Sequence, residues 1–243
     1  MNENSNMTGS FPSTHWSAVL AAGHPSSPNA EAALAELCRL YWAPLYVFAR
    51  RLGHAPEDAQ DLTQGFFEHL LSVQLTAKAD AAKGKFRSFL LGAFKRFIGS
   101  EEAWARAQKR GGGKIVVSYD AQQAETRFAS ESMIHVSSEI LFDRHWAMTM
   151  FEEALRLLEA EFKQFGRGPL FEQLHPFLQG DADGLTYADA ARNLGTTEGT
   201  IRVTVSRMRQ RYRELLRSVL ATTLDSPHEV DDELEHLRAA LRA

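Results

Sequence analysis

The chain has 243 residues, 44% apolar and 24% charged, with 27 Lys and Arg against 31 Asp and Glu for a net charge of −4. At about 150 residues per domain this suggests one or two ordinary globular domains, with too little total charge to hold nucleic acid or a membrane surface non-specifically. The lone Cys38 excludes a disulfide framework and a cysteine-rich zinc module; no apolar run nears the roughly 20 residues that span a bilayer, and MNENSNMTGSFPS has no basic end before an apolar stretch, so a cytoplasmic protein without membrane insertion is expected.

The periodicity predicts an all-α protein of two small helical domains joined by a flexible linker. Residues 1–29 read as a polar tail with a short helix, His15 to Ala22, capped by Thr14. Residues 30–110 read as one domain of three helices. The first carries Leu34, Leu37, Tyr41, Leu45 and Phe48, with Pro44 placed to bend or break it. The second follows Gly53-His-Ala-Pro56 and carries Leu62, Phe66, Phe67, Leu70 and Leu71. The third shows Phe86, Phe89, Leu90, Ala93, Phe94 and Phe97 at steps of three and four. Gly111-Gly112-Gly113 ends that domain, and 111–138 reads as a linker with a short extended piece at Ile115–Val117. The second domain, 139–221, opens with a helix from Glu139 to Phe165. A further helix starts at Pro169, and two more follow over about 187–194 and 198–220. Residues 222–243 form an acidic amphipathic extension with Val230, Leu234, Leu237 and Leu241 after a break at Asp225-Ser-Pro227.

The strongest local signal is LTYADAARNLGTTEGTIRVTVSRMRQRYRELLR. Ala191, Gly195 and Ile201 have the spacing of a helix-turn-helix: a small residue where the helices touch, a glycine for a left-handed turn, and an apolar plug from the second helix. Thr186 and Thr197 stand at N-cap positions, with Asp189 and Glu198 in the first turns. Ile201, Val205 and Met208 mark the inner face of the second helix. Arg202, Arg207, Arg209, Arg211, Arg213 and Arg217 lie elsewhere, against Glu214 alone over 200–217. Such a helix fits the DNA major groove, where arginine pairs with guanine edges and phosphates; an arginine-rich helix packing on another protein is the bland alternative.

With these residues in view, the chain resembles the bacterial RNA polymerase sigma factors of the extracytoplasmic-function group, part of the sigma-70 family. The likeness rests on three motifs in order. Tyr187-Ala-Asp-Ala-Ala191, Leu194-Gly195, Glu198-Gly-Thr-Ile201 and Ser206-Arg-Met-Arg209 match the family's C-terminal helix-turn-helix (region 4). Asp58-Ala-Gln-Asp61-Leu-Thr-Gln64-Gly-Phe-Phe67 and Phe86-Arg-Ser-Phe89-Leu90 match two helices of its N-terminal domain (region 2). The resemblance implies a promoter-specificity subunit whose partners are RNA polymerase core enzyme and promoter DNA. It leaves room for an anti-sigma factor or a regulatory kinase. Carried over residue by residue, it implies that Thr197, Thr200, Arg202, Val203, Ser206, Arg207, Arg209 and Arg211 read the −35 element. Of these, Arg202, Val203, Ser206 and Arg207 would face bases, and Thr197, Arg209 and Arg211 phosphates. Arg87, Lys95, Arg96, Trp104, Arg106, Lys109 and Arg110 would hold the −10 element and its melted strand, and Asp58, Asp61, Gln64, Phe67 and Glu68 would dock on polymerase. The residues themselves allow this. Between 85 and 114 eight cations face only Glu101 and Glu102, and Trp104 serves either as a stacking platform for a melted base or as core. Asp58, Asp61 and Glu68 share a helix stripe that is either a docking face or a solvated one. Thr63, beside it, would bring negative charge there if phosphorylated.

The chain departs from the family pattern at Arg96 and Ser100, in the length of 162–178, and in the acidic extension. That extension either folds onto the basic reading helix as an inhibitor or extends a core. Other motifs fail on inspection. Arg110-Gly-Gly-Gly-Lys114 lacks the glycine at 108 and the hydroxyl residue at 115 of a phosphate loop, and Asp181-Ala-Asp-Gly184 lacks the later acidic ligand of a calcium loop. The nine histidines show no ligand spacing. No catalytic constellation, metal site or cofactor is expected. A dimeric helix-turn-helix regulator that binds duplex DNA unaided, and an adaptor that only grips polymerase, are the competing functions.

Overall fold

The computed structural model describes residues 30–72, 85–107, 121–131, 136–178, 184–224 and 226–242. Among these the secondary structure is helical throughout: α1 (Ala30–Arg51), α2 (Pro56–Ser72), α3 (Phe86–Ala107), α4 (Ala121–Glu131), α5 (Ser138–Gln164) and α6 (Gly168–Leu174), the last continued by a 3₁₀ turn, His175–Leu178. Then come α7 (Tyr187–Asn193), α8 (Glu198–Thr222), a 3₁₀ turn at Pro227–Glu229, and α9 (Val230–Arg242). The short helix expected over 15–22, the extended piece at 115–117 and the loop at 181–183 lie outside the described residues. The chain forms two compact units. One runs to His145 and takes up the chain again from Ala221; the other is Trp146–Leu220.

In the first unit, α1 buries Leu37, Tyr41, Leu45 and Phe48, the i, i+4, i+8, i+11 pattern of an inward stripe. Pro44 lies inside α1 without ending it. Burial of the residues on either side offsets the backbone hydrogen bond that its missing N–H removes. Helix α2 starts on Pro56, whose lack of an N–H is harmless at a first position. It buries Ala59, Thr63, Phe66 and Leu70. Phe94 of α3 packs on Phe66 at 5.0 Å and on Phe48 at 6.2 Å between ring centroids, while Phe86 meets Tyr41 edge-on at 5.5 Å.

Two expectations need correction here. The stretch 111–138, read as linker, contains a docked helix. In α4, Ala124 is buried, and Glu125 accepts hydrogen bonds from Tyr46 at 2.7 Å and from Arg50 at 2.8 Å. Phe128 lies under the Arg50 guanidinium at 4.7 Å. This latch is polar, so apolar periodicity could not reveal it. Thr63 is fully buried, and its hydroxyl donates to the Ala59 carbonyl at 2.7 Å, which removes it from any modifiable surface.

The acidic extension belongs to this unit as well. Helix α9 buries Val230, Leu237 and Ala240 with one carboxylate among them, Glu233. Glu233 forms ion pairs with Lys85, just before α3, and with Arg87 in its first turn. The cations it neutralises are therefore Lys85 and Arg87, at the start of α3, and α9 extends the core of this unit.

The second unit is built on the inward face of α5: Trp146, Met150, Ala154 and Leu158. Gly166, at φ +67°, lets the chain turn, and the Arg167 N–H closes on the Phe162 carbonyl at 2.7 Å. Phe171, Leu174 and Phe177 are buried, as are Ala190, Ala191, Ile201, Val205, Met208, Leu215 and Leu216.

Candidate nucleic-acid interface

Helices α7 and α8 are built from local rules. Thr186 closes a capping box: its Oγ1 accepts from the Asp189 N–H at 3.1 Å, and the Asp189 carboxylate accepts from the Thr186 N–H at 3.1 Å. The Thr186 hydroxyl also donates to the Asp189 carboxylate at 2.6 Å, and this bond, followed by the one from the Thr186 N–H, holds the Asp189 carboxyl below its ordinary range. Gly195 takes φ +62°, and the Thr196 N–H reaches back to the Ala191 carbonyl at 2.9 Å. Thr197 then caps α8 by accepting from the Thr200 N–H at 3.2 Å, its hydroxyl 2.9 Å from that of Thr200. Ile201 and Val205 are buried to within 1% of full burial. This seating fixes the rotation of α8 and hence which residues face out.

Those facing out are Val203, half exposed, with Ser206, Arg207, Gln210 and Arg213. Among the described residues, neither Arg207 nor Arg213 has an ion-pair or hydrogen-bond partner. The remaining arginines are held. Arg202 donates to Glu198 at 2.9 and 2.5 Å, and its guanidinium lies 4.9 Å over the Tyr187 ring. Tyr187 is in turn stacked on Phe177 at 4.6 Å. Arg209 donates through two nitrogens to the Phe177 carbonyl, at 3.3 and 2.7 Å. A shallow cleft of about 400 Å³ runs beside the helix, lined by Tyr187, Arg202, Val205, Ser206, Arg209, Gln210 and Arg213.

Arg211 corrects the expectation of a phosphate contact. It pairs with Glu161 of α5 at 2.6 and 2.9 Å and with Glu214 at 3.0 Å. The two carboxylates push its pKa further up, and it draws that of Glu161 down. Its charge is matched within the unit, and it ties α8 to α5 beside the Tyr212 hydroxyl, which donates to the Phe151 carbonyl at 3.1 Å.

The residues expected at the −10 element separate in the same way. Arg87 is 6% exposed, with Asp143 at 3.2 Å and Glu233 against it, so it is an internal cation and not part of a binding face. Lys95 is exposed but paired with Glu139 at 2.5 Å, which holds the Glu139 carboxyl down to about 2. Arg96 is exposed. Trp104 and Arg106 fall within α3, but their side chains, like the whole of Lys109 and Arg110, lie outside the described residues. On α2, Asp58 and Asp61 are exposed and Gln64 and Glu68 half-buried, with Gln64 donating to Glu68 at 3.2 Å. Phe67 is buried edge-on against Phe66, 5.8 Å between centroids, and is a core residue rather than a docking one.

Sequence reasoning missed Tyr187, Gln210 and Arg213 as site residues. Arg213 was within reach, since Arg202, Ser206, Arg209 and Arg213 repeat at four, three and four. Tyr187 was not, because its stack depends on Phe177, which no periodicity places. Cys38 is buried, its thiol pushed up to about 12 by that burial, which makes it a packing residue at neutral pH. Among the described residues no group of three or more His, Cys, Asp or Glu could hold a metal ion, and no helix is long and apolar enough to cross a membrane. No protein-family model matches the chain, nor does any curated protein or solved structure.

Proposed function

We propose that the chain is a sigma factor of the extracytoplasmic-function group. It binds RNA polymerase core through the exposed acids of α2, reads the −35 element with α8, and engages the −10 element with the exposed cations of α3. The observation that carries this reading is the seating of α8. A helix-turn-helix closed by Thr186, Gly195 and Ile201 leaves Val203, Ser206, Arg207 and Gln210 outward on one face. That width and chemistry suit a major groove. The three sequence motifs in family order support the same assignment.

The test is reconstitution. The purified chain mixed with bacterial core polymerase is expected to yield run-off transcripts from discrete sites on genomic DNA, and core enzyme alone to yield none. Core binding without promoter-dependent transcripts would make the chain an adaptor. A homodimer that binds palindromic duplexes and has no affinity for core would make it a free-standing regulator. Either result overturns the proposal.

A further inference from the structure

The arginines of α8 fall into sets with different surroundings. Arg207 points outward and is unpaired among the described residues. Arg202, Arg209 and Arg213 follow one another along a single flank, spanning about 16 Å of helix, and all three line the cleft beside Tyr187. Arg211 stands about half a turn away, neutralised by Glu161 and Glu214. One flank of the helix therefore carries three arginines around a cleft, and the other carries a charge that is already matched.

Two of the flank arginines are also turned away from the outward face, and the third, Arg213, stands exposed where flank and face meet. Arg209 is tethered at the Phe177 carbonyl. Arg202 lies back over the Tyr187 ring with Nε and one terminal nitrogen on Glu198, which leaves donors of its five-hydrogen fork unused. A guanidinium held this way is aimed at the side of the helix and not at a base edge on the groove floor. It can meet an anion arriving at the side of the helix, where a helix lying in the major groove has the sugar-phosphate backbone.

Resting on the DNA-reading role of α8, we infer that this flank is a phosphate track for one DNA strand, formed by Arg202, Arg209 and Arg213. Tyr187 is its positioning residue, holding the Arg202 guanidinium by stacking. Base reading falls to Val203, Ser206, Arg207 and Gln210. Glu198 is the carboxylate a phosphate replaces at Arg202; it borders the neighbouring cavity and not the cleft itself. The opposite flank, where Arg211 is matched, adds no phosphate contact.

The experiment uses the full chain bound to bacterial core polymerase and a fluorescein-labelled duplex pool randomised over the upstream element, with binding followed across salt. Arg202→Ala and Arg213→Ala are each expected to weaken all sequences alike, by about tenfold at low salt, and to lower the slope of log affinity against log salt by about one. Both should recover the wild-type consensus. Tyr187→Ala should reproduce Arg202→Ala and add nothing to it in the double variant, whereas Tyr187→Phe, which keeps the ring, should retain the wild-type slope. A Tyr187→Ala chain with a lowered Tm but an unchanged slope would overturn the positioning role. Arg202→Ala altering the consensus at one base pair with its slope intact would overturn the track and leave DNA reading standing. A wild-type complex that selects no sequence overturns the DNA reading and the inference together.

Discussion

Helices α3 and α8 look alike as sequences, each a run of cations over an apolar stripe, yet the protein uses them in opposite ways. In α3, Arg87 is internal between Asp143 and Glu233 and Lys95 is matched by Glu139, while Lys85, just before the helix, is drawn to the same Glu233. Of the described cations on that stretch, Arg96 alone is exposed without a described partner. In α8, the carboxylates that meet the arginines are mostly local, Glu198 and Glu214 with Glu161 from α5, and among the described residues they leave Arg207 and Arg213 unmatched. A count of cations along a helix thus overstates its binding face whenever carboxylates arrive from elsewhere in the chain. The acids that neutralise α3 lie 44 to 148 positions away, where no local window can see them.

The sharpest way to break that contrast is to remove the carboxylate at its centre. Glu233 is fully buried and Arg87 nearly so. Glu233→Ala leaves a buried guanidinium short of one of its carboxylate partners, and losing one member of a buried pair costs about 3–5 kcal/mol. Urea unfolding should show this loss. The double change Arg87→Met, Glu233→Leu should recover most of it, because an apolar pair carries no desolvation cost. A Glu233→Ala chain within about 1 kcal/mol of wild type would mean that Arg87 is not an internal cation, and the distinction between the two helices would fail.

The next largest effect separates two arginines four positions apart in α8. Arg207→Ala should cost about 1–3 kcal/mol of promoter affinity and relax the preference at one base pair. Arg211→Ala should leave promoter affinity and its salt dependence unchanged, and lower unfolding stability by no more than about 1 kcal/mol, the range of an exposed ion pair. Competition binding against single-base promoter variants reads the first, and thermal unfolding the second. If Arg211→Ala weakens every sequence uniformly, the matched flank is a DNA contact after all.

The two helices also show how much of the molecule the sequence reveals. The α7–α8 unit was legible because its determinants lie within about fifteen residues of one another: the Thr186–Asp189 box, the left-handed Gly195, and the Ile201 plug. Apolar stripes gave α1, α2, α3 and α9 for the same reason. What stayed hidden is held by polar contacts between distant residues: α4 on Tyr46 and Arg50, Arg87 on Glu233, and the Phe177–Tyr187–Arg202 stack. Phe67 stood in the apolar stripe by its spacing and took a docking role only from the resemblance, whereas Thr63 was misplaced because a stripe known only by its spacing has uncertain edges; α2 buries both residues. The legible part has its own test. Thr186→Ala removes the cap of α7 and should lower stability by about 1 kcal/mol in thermal unfolding, while Arg207 keeps its base preference because Ile201 still sets the rotation of α8.

The smallest expected effect is a pH dependence confined to the α3 side of the comparison. His236 of α9 sits 3.3 Å from Asp143, with Arg87 and Lys85 also acting on it. Burial first, and then Arg87, lower its pKa below the ordinary 6.5, and Asp143 opposes them only in part. Between its folded value and 6.5 the folded chain therefore binds fewer protons at this site than the unfolded chain, so stability rises with pH across that window. The contribution is complete above 6.5 and is lost as pH falls through the folded value. The depressed carboxylates Glu125, Glu139 and Glu161 act lower, losing their contribution only as pH falls below their ordinary 4.5. Subtracting the unfolding free energy of His236→Asn from that of wild type, pH by pH, should leave a difference that is flat above 6.5 and falls below it. A flat difference down to pH 4.5 would show that His236 does not feel the cations of α3, and that the charge cluster joining α9 to that helix is looser than its distances indicate.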